Sequence, residues 1–387
     1  MKYEKGFDTL RAFCCLFVII AHWGVWFDNT TSPGRFIQLV VFPDGGTCVS
    51  IFFVLSVFLV TSILLIVKDA NAGTNKMSAI GSFLARRALR IYPLYYLLLF
   101  FLFAINFPDV REHIASFATF TSNFLIYYSG IWNQFCVTWT LSIEEQFYLL
   151  LPFIILFVNS KYLGWVFTAA LMIGVATTYI TMAVQRHLAP CLLYNCFDAF
   201  AIGGLYAWVR HRDRYVPQFE NGVKIAALLC LVVYFYCRYF IFLGYPGPFF
   251  FLWKTIDSVI AVWLLALILN NRSVWVKKYL LENRYLNFIG RISYGLYLLH
   301  DVYANGFMSS VNGMLNKATR FHPHLNGIVM NPYHRYWIHM AIVFTIATCL
   351  HVLVEQPFLK LKKFTFKPAF PLNRKSLSQS PTPQRRT

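Results

Sequence analysis

The hydrophobic pattern of the 387 residues predicts a bundle of membrane-spanning helices. Apolar stretches recur along the chain, and short polar segments separate them. A helix of about 20 apolar residues is long enough to cross the hydrocarbon core of a bilayer. The pattern therefore indicates an all-α fold, a polytopic membrane helix bundle of about ten transmembrane helices. The predicted spans are 7–26, 47–67, 88–107, 138–158, 162–184, 194–209, 223–242, 249–269, 286–306 and 336–358.

Composition supports the membrane interpretation and excludes a nucleic-acid partner. Hydrophobic residues make up 58% of the chain and charged residues 13%, which is unlike a globular domain in water. The formal net charge is +18, but the basic residues lie between apolar runs and not on one continuous surface. If the N-terminus is cytoplasmic, most of the 34 Lys and Arg residues fall on the cytoplasmic side. We therefore expect both termini in the cytoplasm.

The spans divide the chain into two unequal parts. Residues 1–359 form the predicted transmembrane domain. Residues 360–387 are basic and rich in Ser, Pro and Gln, and we expect a disordered cytoplasmic tail that lies on anionic lipid. The expected location is a bacterial-type inner (plasma) membrane.

Two ionisable side chains, Arg11 and His22, lie in the first predicted span. An ionisable group at membrane depth costs at least ~2.5 kcal/mol on insertion scales, so each needs a reason to be there. They are eleven residues apart, so in a helix they lie on nearly the same face and roughly 16 Å apart along the axis. Snorkelling and packing hydrogen bonds explain such residues as well as chemistry does.

Six stretches together resemble the membrane-bound acyltransferase family 3. They occur in the expected order and cover nearly the whole chain. The one departure noted is Val57, where the family usually has Gly. The stretches are FDTLRAFCCLFVIIAH, SIFFVLSVFLVTSILL, FLARRALRIYPLYYLLL, WTLSIEEQFYLLLP, GRISYGLYLLH and VEQPF. The resemblance implies a ten-helix fold and acyl transfer from acyl-coenzyme A to sugars or other envelope acceptors.

Acyl transfer to a hydroxyl needs a base that removes the proton as the oxygen attacks the thioester, and neutral imidazole suits that role. His22 is the candidate, and the resemblance points to the same residue. Arg11 is a candidate for binding the donor's phosphates or steering His22. Arg87 and Arg90, with Arg86 beside them, lie at the predicted cytoplasmic start of the third span. They resemble the family's RxxR motif for the donor, although positive-inside bias also explains them.

Two adjacent glutamates, Glu144 and Glu145, lie in the first turns of the fourth span, on its predicted outer side. Acidic residues at a helix N-terminus are stabilised by the helix dipole, so capping is a sufficient explanation. Adjacent residues nevertheless point to different faces. We expect one of the pair to orient His22 or to contact acceptor hydroxyl groups, and its neighbour to be structural.

Three further polar residues, Ser293, Tyr297 and His300, share one face of the ninth span. A packing ladder of hydrogen bonds is at least as good an explanation for them as catalysis. Glu355, near the end of the last span, is expected to pair with an arginine. No metal site is expected, because His322 and His324 lack a third ligand with suitable spacing.

These observations favour a membrane O-acyltransferase. We expect it to move an acyl group, most simply acetyl, from cytosolic acyl-coenzyme A to a hydroxyl of a cell-envelope carbohydrate or glycolipid. Acyl-coenzyme A is then a co-substrate, and no permanently bound cofactor is expected. The alternative is a transporter or flippase of a lipid-linked sugar, which would use the same buried charges as a substrate path.

Overall fold

The computed structural model describes residues 4–24, 32–70, 75–185, 188–213, 215–245, 249–322, 324, 326–329 and 331–365. Every regular element within these ranges is helical. Long helices occupy the ten predicted positions in this part of the chain. They are α1 (Gly6–Trp23), α2 (Gly45–Ala70), α3 (Lys76–Ala104), α4 (Thr138–Phe157), α5 (Leu163–Gln185), α6 (Phe197–Arg212), α7 (Val216–Phe242), α8 (Trp253–Leu269), α9 (Arg284–Val302) and α10 (Pro332–Leu350).

Short helical pieces connect and extend the long helices. They include π-helical turns at Ile37–Val41, Lys277–Leu281, Tyr303–Phe307 and His351–Glu355, and 3₁₀ turns at Ala189–Cys191, Leu193–Cys196 and Phe250–Leu252. The short α-helices are Ser32–Phe36, Ile114–Ala118, Ser122–Ser129, Val274–Val276, Met308–Phe321, Asn326–Val329 and Gln356–Thr365.

Eight helices in the described ranges are long and apolar enough to cross a membrane. The two predicted spans outside this set are α6, which has only 16 residues, and α9, which carries the polar face predicted from the sequence. Both pack inside the bundle, α6 along α2 and α9 along α1. The chain is therefore a polytopic helical membrane protein, with its two more polar helices covered by more apolar ones.

The third helix begins earlier than predicted. The sequence pattern placed its start at Ala88, but α3 begins at Lys76. The Asn75 side chain accepts hydrogen bonds from the backbone N–H groups of Met77 and Ser78, as an N-cap residue does. Arg87 and Arg90 therefore lie inside α3 and not in its first turn, and their position at the cytoplasmic start of the membrane span stays a prediction. Arg87 lies about 16 Å along the helix from its first residue, at 1.5 Å per residue.

Two glycines allow helices to approach each other closely. A Cβ at Gly290 would lie 2.0 Å from the Asp8 carbonyl oxygen, so α9 contacts the α1 backbone there. A Cβ at Gly203 would lie 2.7 Å from the Val54 carbonyl oxygen, which brings α6 against α2. Val57, the departure from the family pattern, is fully buried one turn further along α2. The close contact of α2 thus depends on a glycine of the partner helix.

The end of the described chain continues α10. A π-helical turn, His351–Glu355, leads into the helix Gln356–Thr365, so the predicted boundary at residue 360 falls inside a helix. Residues 366–387 of the predicted tail lie outside the described residues, as does Pro323 between His322 and His324.

Candidate active site

The last turn of α1 brings His22 against His300 of α9. Their Nδ1 and Nε2 atoms are 2.8 Å apart, and their rings stack with centroids 5.0 Å apart. Trp23 donates its indole N–H to the His300 carbonyl oxygen at 3.3 Å, which ties the two helix ends together. His300 is fully buried, whereas the His22 side chain is exposed to a cavity.

The hydrogen bonds fix the proton positions of this pair. His300 Nδ1 lies 2.6 Å from the Tyr297 carbonyl oxygen, which can only accept, so His300 Nδ1 carries the proton. Nε2 of a neutral His300 then accepts a hydrogen bond, and His22 Nδ1 must donate it. The remaining nitrogen, His22 Nε2, keeps its lone pair. A Cβ built on Gly45 would lie 3.8 Å from this atom, so a residue without a side chain borders it.

His22 opens onto a cavity of about 650 Å³, here called the histidine cavity. Its walls come from helices α1, α2, α4, α5, α7, α8 and α9 and from the segments that precede α2, α4, α6 and α8. The walls combine aromatic rings with a few charged groups. The side chains that give it this character are Trp132, Trp139, Phe250, Phe251, Trp253, Asp44, Lys254 and Asp257.

A second cavity, of about 250 Å³, is here called the arginine cavity. Its polar lining consists of Arg11, Arg87, Arg90, Glu144, Ser56, Thr140, Tyr148, Ser293, Tyr294 and Tyr297. The predicted cationic residues thus meet around one space, except Arg86, which is absent from this lining. Three residues, Val49, Val137 and Tyr297, border both cavities. The two cavities are therefore adjacent and share a wall.

Protein groups hold two of the three cavity arginines. Arg11 donates to Asp8 at 2.9 Å in an ion pair between residues one turn apart. The Arg87 guanidinium lies over the Tyr148 ring, 4.5 Å from its centroid. The Arg90 side chain is exposed to the cavity. Arg11 and His22 therefore share α1 as predicted, but they face different cavities.

The two glutamates point in different directions, as predicted for adjacent helical residues. Glu144 lines the arginine cavity, whereas Glu145 is buried and faces Tyr92 of α3. Neither glutamate is a hydrogen-bond partner of His22 in the described part of the chain. Glu144 lines the arginine cavity, whereas His22 lines the histidine cavity. The expectation that a glutamate orients His22 therefore needs correction, because His300 holds that position.

The polar face of α9 divides between two roles. The Tyr297 hydroxyl is 2.9 Å from the Thr140 hydroxyl of α4, and Ser293 donates to the Gly290 carbonyl oxygen of its own helix. These are hydrogen bonds of the kind expected for helix packing. His300, by contrast, contacts His22 directly. The polar face thus contributes both a packing ladder and a partner for the candidate base.

Two other sequence expectations concern the periphery of the site. Glu355 Oε2 is 2.7 Å from Nδ1 of His351, one turn earlier on its own chain. The hydrogen-bonded partner is therefore a histidine, which local helical geometry supplies, whereas the predicted kind of partner, an arginine, acts on Glu355 only through the nearby charge of Arg90. The His322 and His324 rings are 5.6 Å apart, and the described residues contain no group of three or more potential metal ligands.

The sequence interpretation missed most of the histidine cavity. Asp257, at 1% exposure, lies inside a predicted span, and Lys254 lies one turn before it. A charged residue within a membrane span is a functional candidate by default, so this signal was present. Trp132 and Trp253 gave no comparable signal, because tryptophans near span ends are common as interfacial anchors.

Comparison with known proteins agrees with these features. A family profile described as an acyltransferase domain, that of acyltransferase family 3, matches residues 4–355. Peptidoglycan O-acetyltransferase OatA of Listeria monocytogenes serovar 1/2a is 27% identical over 334 residues, covering 77% of this chain and 49% of OatA. A candidate O-acetyltransferase of Staphylococcus aureus strain MSSA476 is 24% identical over 403 residues, covering 96% of this chain and 60% of that protein.

A viral relative has a length closer to that of this chain. A candidate acetyltransferase of Acidianus two-tailed virus is 24% identical over 308 residues, covering 77% of this chain and 83% of that protein. The bacterial relatives are longer, and this chain spans only about half of OatA. No solved structure was found to match. With a family profile that covers nearly all of its spans, the chain belongs to acyltransferase family 3 and is a multi-pass membrane acyltransferase.

Proposed function

We propose that the protein transfers an acetyl group from cytosolic acetyl-coenzyme A to a hydroxyl of a cell-envelope carbohydrate, with His22 as the general base. The observation that carries this proposal is the hydrogen-bond chain from the Tyr297 carbonyl oxygen through His300 to His22. It leaves a lone pair on His22 Nε2 at the edge of a cavity large enough for a sugar. A base in this state takes the proton of an attacking hydroxyl at near-neutral pH.

The arginine cavity is the proposed donor site. Guanidinium groups suit phosphate oxygens because they present several donors in a fixed plane. Arg11, Arg87 and Arg90 bring three positive charges, and Glu144 and Asp8 offset only part of them. A cavity of about 250 Å³ suits an acyl-pantetheine arm better than a whole nucleotide. The phosphates would therefore stay near the arginines while the thioester extends inward.

The shared wall gives the thioester a short route to His22. Tyr297 and the two valines that line both cavities separate donor from base. Passage of the thioester past Tyr297 would bring its carbonyl carbon to the histidine cavity. No acyl-enzyme is then needed. In the described residues, the recorded hydrogen-bond partner of His22 is a second histidine and not a Ser or Cys nucleophile.

The proposed chemistry is direct transfer. His22 Nε2 removes the proton from the acceptor hydroxyl while the oxygen attacks the thioester carbonyl, forming a new C–O bond. The tetrahedral intermediate collapses, and the C–S bond breaks. The leaving thiolate takes the proton back from the His22 imidazolium, so coenzyme A leaves as a thiol and the histidine returns to its neutral state. His300 keeps the His22 ring in one tautomer throughout.

The class of acceptor is inferred from the relatives and the cavity lining, and the type of membrane from the distribution of charge. OatA is named as a peptidoglycan O-acetyltransferase, and its kinship favours an envelope carbohydrate or glycolipid here. Aromatic walls beside a few charged groups suit a carbohydrate ring. The distribution of Lys and Arg favours a bacterial-type inner membrane, with both termini and the donor side in the cytoplasm. The comparisons offer no support for the transporter alternative.

Sealed vesicles test this proposal. Vesicles with wild-type protein or His22→Ala receive acetyl-labelled coenzyme A on the cytoplasmic face, and label is followed into envelope glycans. We expect label with wild type and a loss of 10²- to 10⁴-fold with the variant, the usual contribution of a general base. His324→Ala is the matched control, because His324 is exposed and is absent from the lining of either cavity. Equal labelling by His22→Ala would contradict the proposal.

A further inference from the structure

Asp257 of α8 is a buried carboxylate whose oxygens are unsatisfied. Its side chain lines the histidine cavity and is 1% exposed. Neither Oδ1 nor Oδ2 has a hydrogen bond of good geometry among the described residues, and Thr47 is the hydroxyl-bearing side chain within interaction range. Burying a carboxylate without hydrogen-bond partners costs free energy, so such a group usually binds a ligand.

The neighbouring carboxylates are satisfied. Asp198 is equally buried, but it accepts a hydrogen bond from the Thr255 hydroxyl and one from the Ala199 N–H, each at 2.8 Å. Asp44 accepts from Arg238 and from the Thr47 N–H, both at 2.7 Å. The protein thus supplies donors to the carboxylates around Asp257 and leaves its oxygens to the cavity.

The nearest cavity lysine does not fill the gap. Lys254 Nζ lies one turn before Asp257, but it donates to the carbonyl oxygens of Pro190 and Asn195 at 3.0 and 3.3 Å, and it is 2.8 Å from Cys196 Sγ. Its positive charge is therefore directed toward the loop between α5 and α6. Asp257 is therefore the carboxylate of this cavity whose two buried oxygens receive no hydrogen bond of good geometry from the described residues.

We propose that Asp257 anchors the acceptor, by accepting hydrogen bonds from two adjacent hydroxyl groups of a pyranose ring that lies between Trp139 and Trp253. A vicinal diol presents two O–H donors to the two oxygens of one carboxylate, and tryptophans supply an apolar surface for the ring. The same cavity holds His22, so a sugar fixed at Asp257 presents another hydroxyl to the base. This inference rests on the proposed function and makes Asp257 a determinant of acceptor specificity.

Binding of methyl glycosides tests the inference without needing the natural acceptor. The full-length protein in nanodiscs is titrated with methyl β-D-glucopyranoside, methyl β-D-galactopyranoside and methyl N-acetyl-β-D-glucosaminide, and saturation-transfer NMR reports binding. Loss of hydrogen bonds to a charged group lowers affinity by about 10- to 100-fold. We expect that loss for Asp257→Asn, and full binding for Asp213→Asn, an exposed residue on the αL position that ends α6.

Deoxy sugars identify the hydroxyl groups involved. Analogues that lack one hydroxyl of the anchoring pair should bind the wild type more weakly, while Asp257→Asn should no longer discriminate between them and the parent sugar. Equal binding by wild type and Asp257→Asn would overturn the inference, as would failure of the wild type to bind all three glycosides. Release of coenzyme A from acetyl-coenzyme A by the wild type in the presence of envelope glycans is measured separately. Its absence would count against the proposed function, while the binding data would still decide the role of Asp257.

Discussion

His22 and His300 are joined by a hydrogen bond of 2.8 Å between ring nitrogens, although 278 residues separate them in the chain. The bond joins the last turn of α1 to the last turn of α9. His300 donates its Nδ1 proton to the Tyr297 carbonyl oxygen, so its Nε2 must accept the hydrogen bond from His22 Nδ1. The histidine exposed to the cavity therefore presents an unprotonated nitrogen, and the buried one serves as its support.

Substitution of His300 should impair catalysis more than substrate binding. His300→Ala leaves the His22 ring free to rotate and to change tautomer, so we expect kcat to fall by about 10- to 100-fold, as for supporting partners of other functional histidines. KM for both substrates should change much less. His300→Gln offers an amide oxygen to His22 Nδ1 and should recover part of the loss. Equal rises in KM and falls in kcat would indicate a structural role only, as would no recovery with glutamine.

Arg90 should act on the phosphate-bearing part of the donor. Arg90→Ala is expected to raise KM for acetyl-coenzyme A by about 10- to 100-fold, through the loss of charge-assisted hydrogen bonds. Acetyl-pantetheine lacks the nucleotide phosphates, so the penalty should shrink markedly with that donor. Arg86→Ala is the matched control, because Arg86 is close in sequence but is not in the cavity lining. The same penalty with both donors would argue against phosphate binding.

Tyr297 should limit leakage between the two cavities. Tyr297→Ala removes a large part of the shared wall and lets water reach the thioester beside His22. We therefore expect faster release of coenzyme A without acceptor, measured with a thiol reagent. Tyr297→Phe keeps the ring and loses only the hydrogen bond to Thr140, which contributes about 1 kcal/mol to stability. Tyr297→Phe should release less coenzyme A without acceptor than Tyr297→Ala. Equal release by the two variants would show that the Tyr297 ring does not separate the cavities.

Arg238 should be a stability residue rather than a substrate residue. It is 6% exposed and donates to Asp44 at 2.7 Å and to the carbonyl oxygens of Gln38 and Phe42 at 3.1 and 2.6 Å. Arg238→Met breaks all three and leaves Asp44 without its cation, at a cost of about 3 kcal/mol. A lower apparent Tm in detergent should reveal this. Arg35→Met is the control, because Arg35 is exposed and its guanidinium lies over the Phe242 ring; equal Tm values for the two variants would refute the role of Arg238.

The sequence by itself determined the membrane architecture. Ten apolar stretches of bilayer length indicated ten helices, and helices occupy those positions because the chain in lipid must satisfy its own backbone hydrogen bonds. The ordered motifs identified the family, and the spacing of Arg11 and His22 placed them on one helix. Arg87, Arg90 and Glu144 were also selected from local patterns, since charge in an apolar span is visible without a structure.

The tertiary structure alone decided which of these residues meet. Helical spacing relates positions one or two turns apart, whereas contacts between α1 and α9 depend on close packing at Gly290, which no local pattern specifies. The pairing of His22 with His300, in place of a glutamate, follows from that packing. The division of Arg11 and His22 between two cavities, and the unsatisfied carboxylate of Asp257 in one of them, follow from how several helices surround a space.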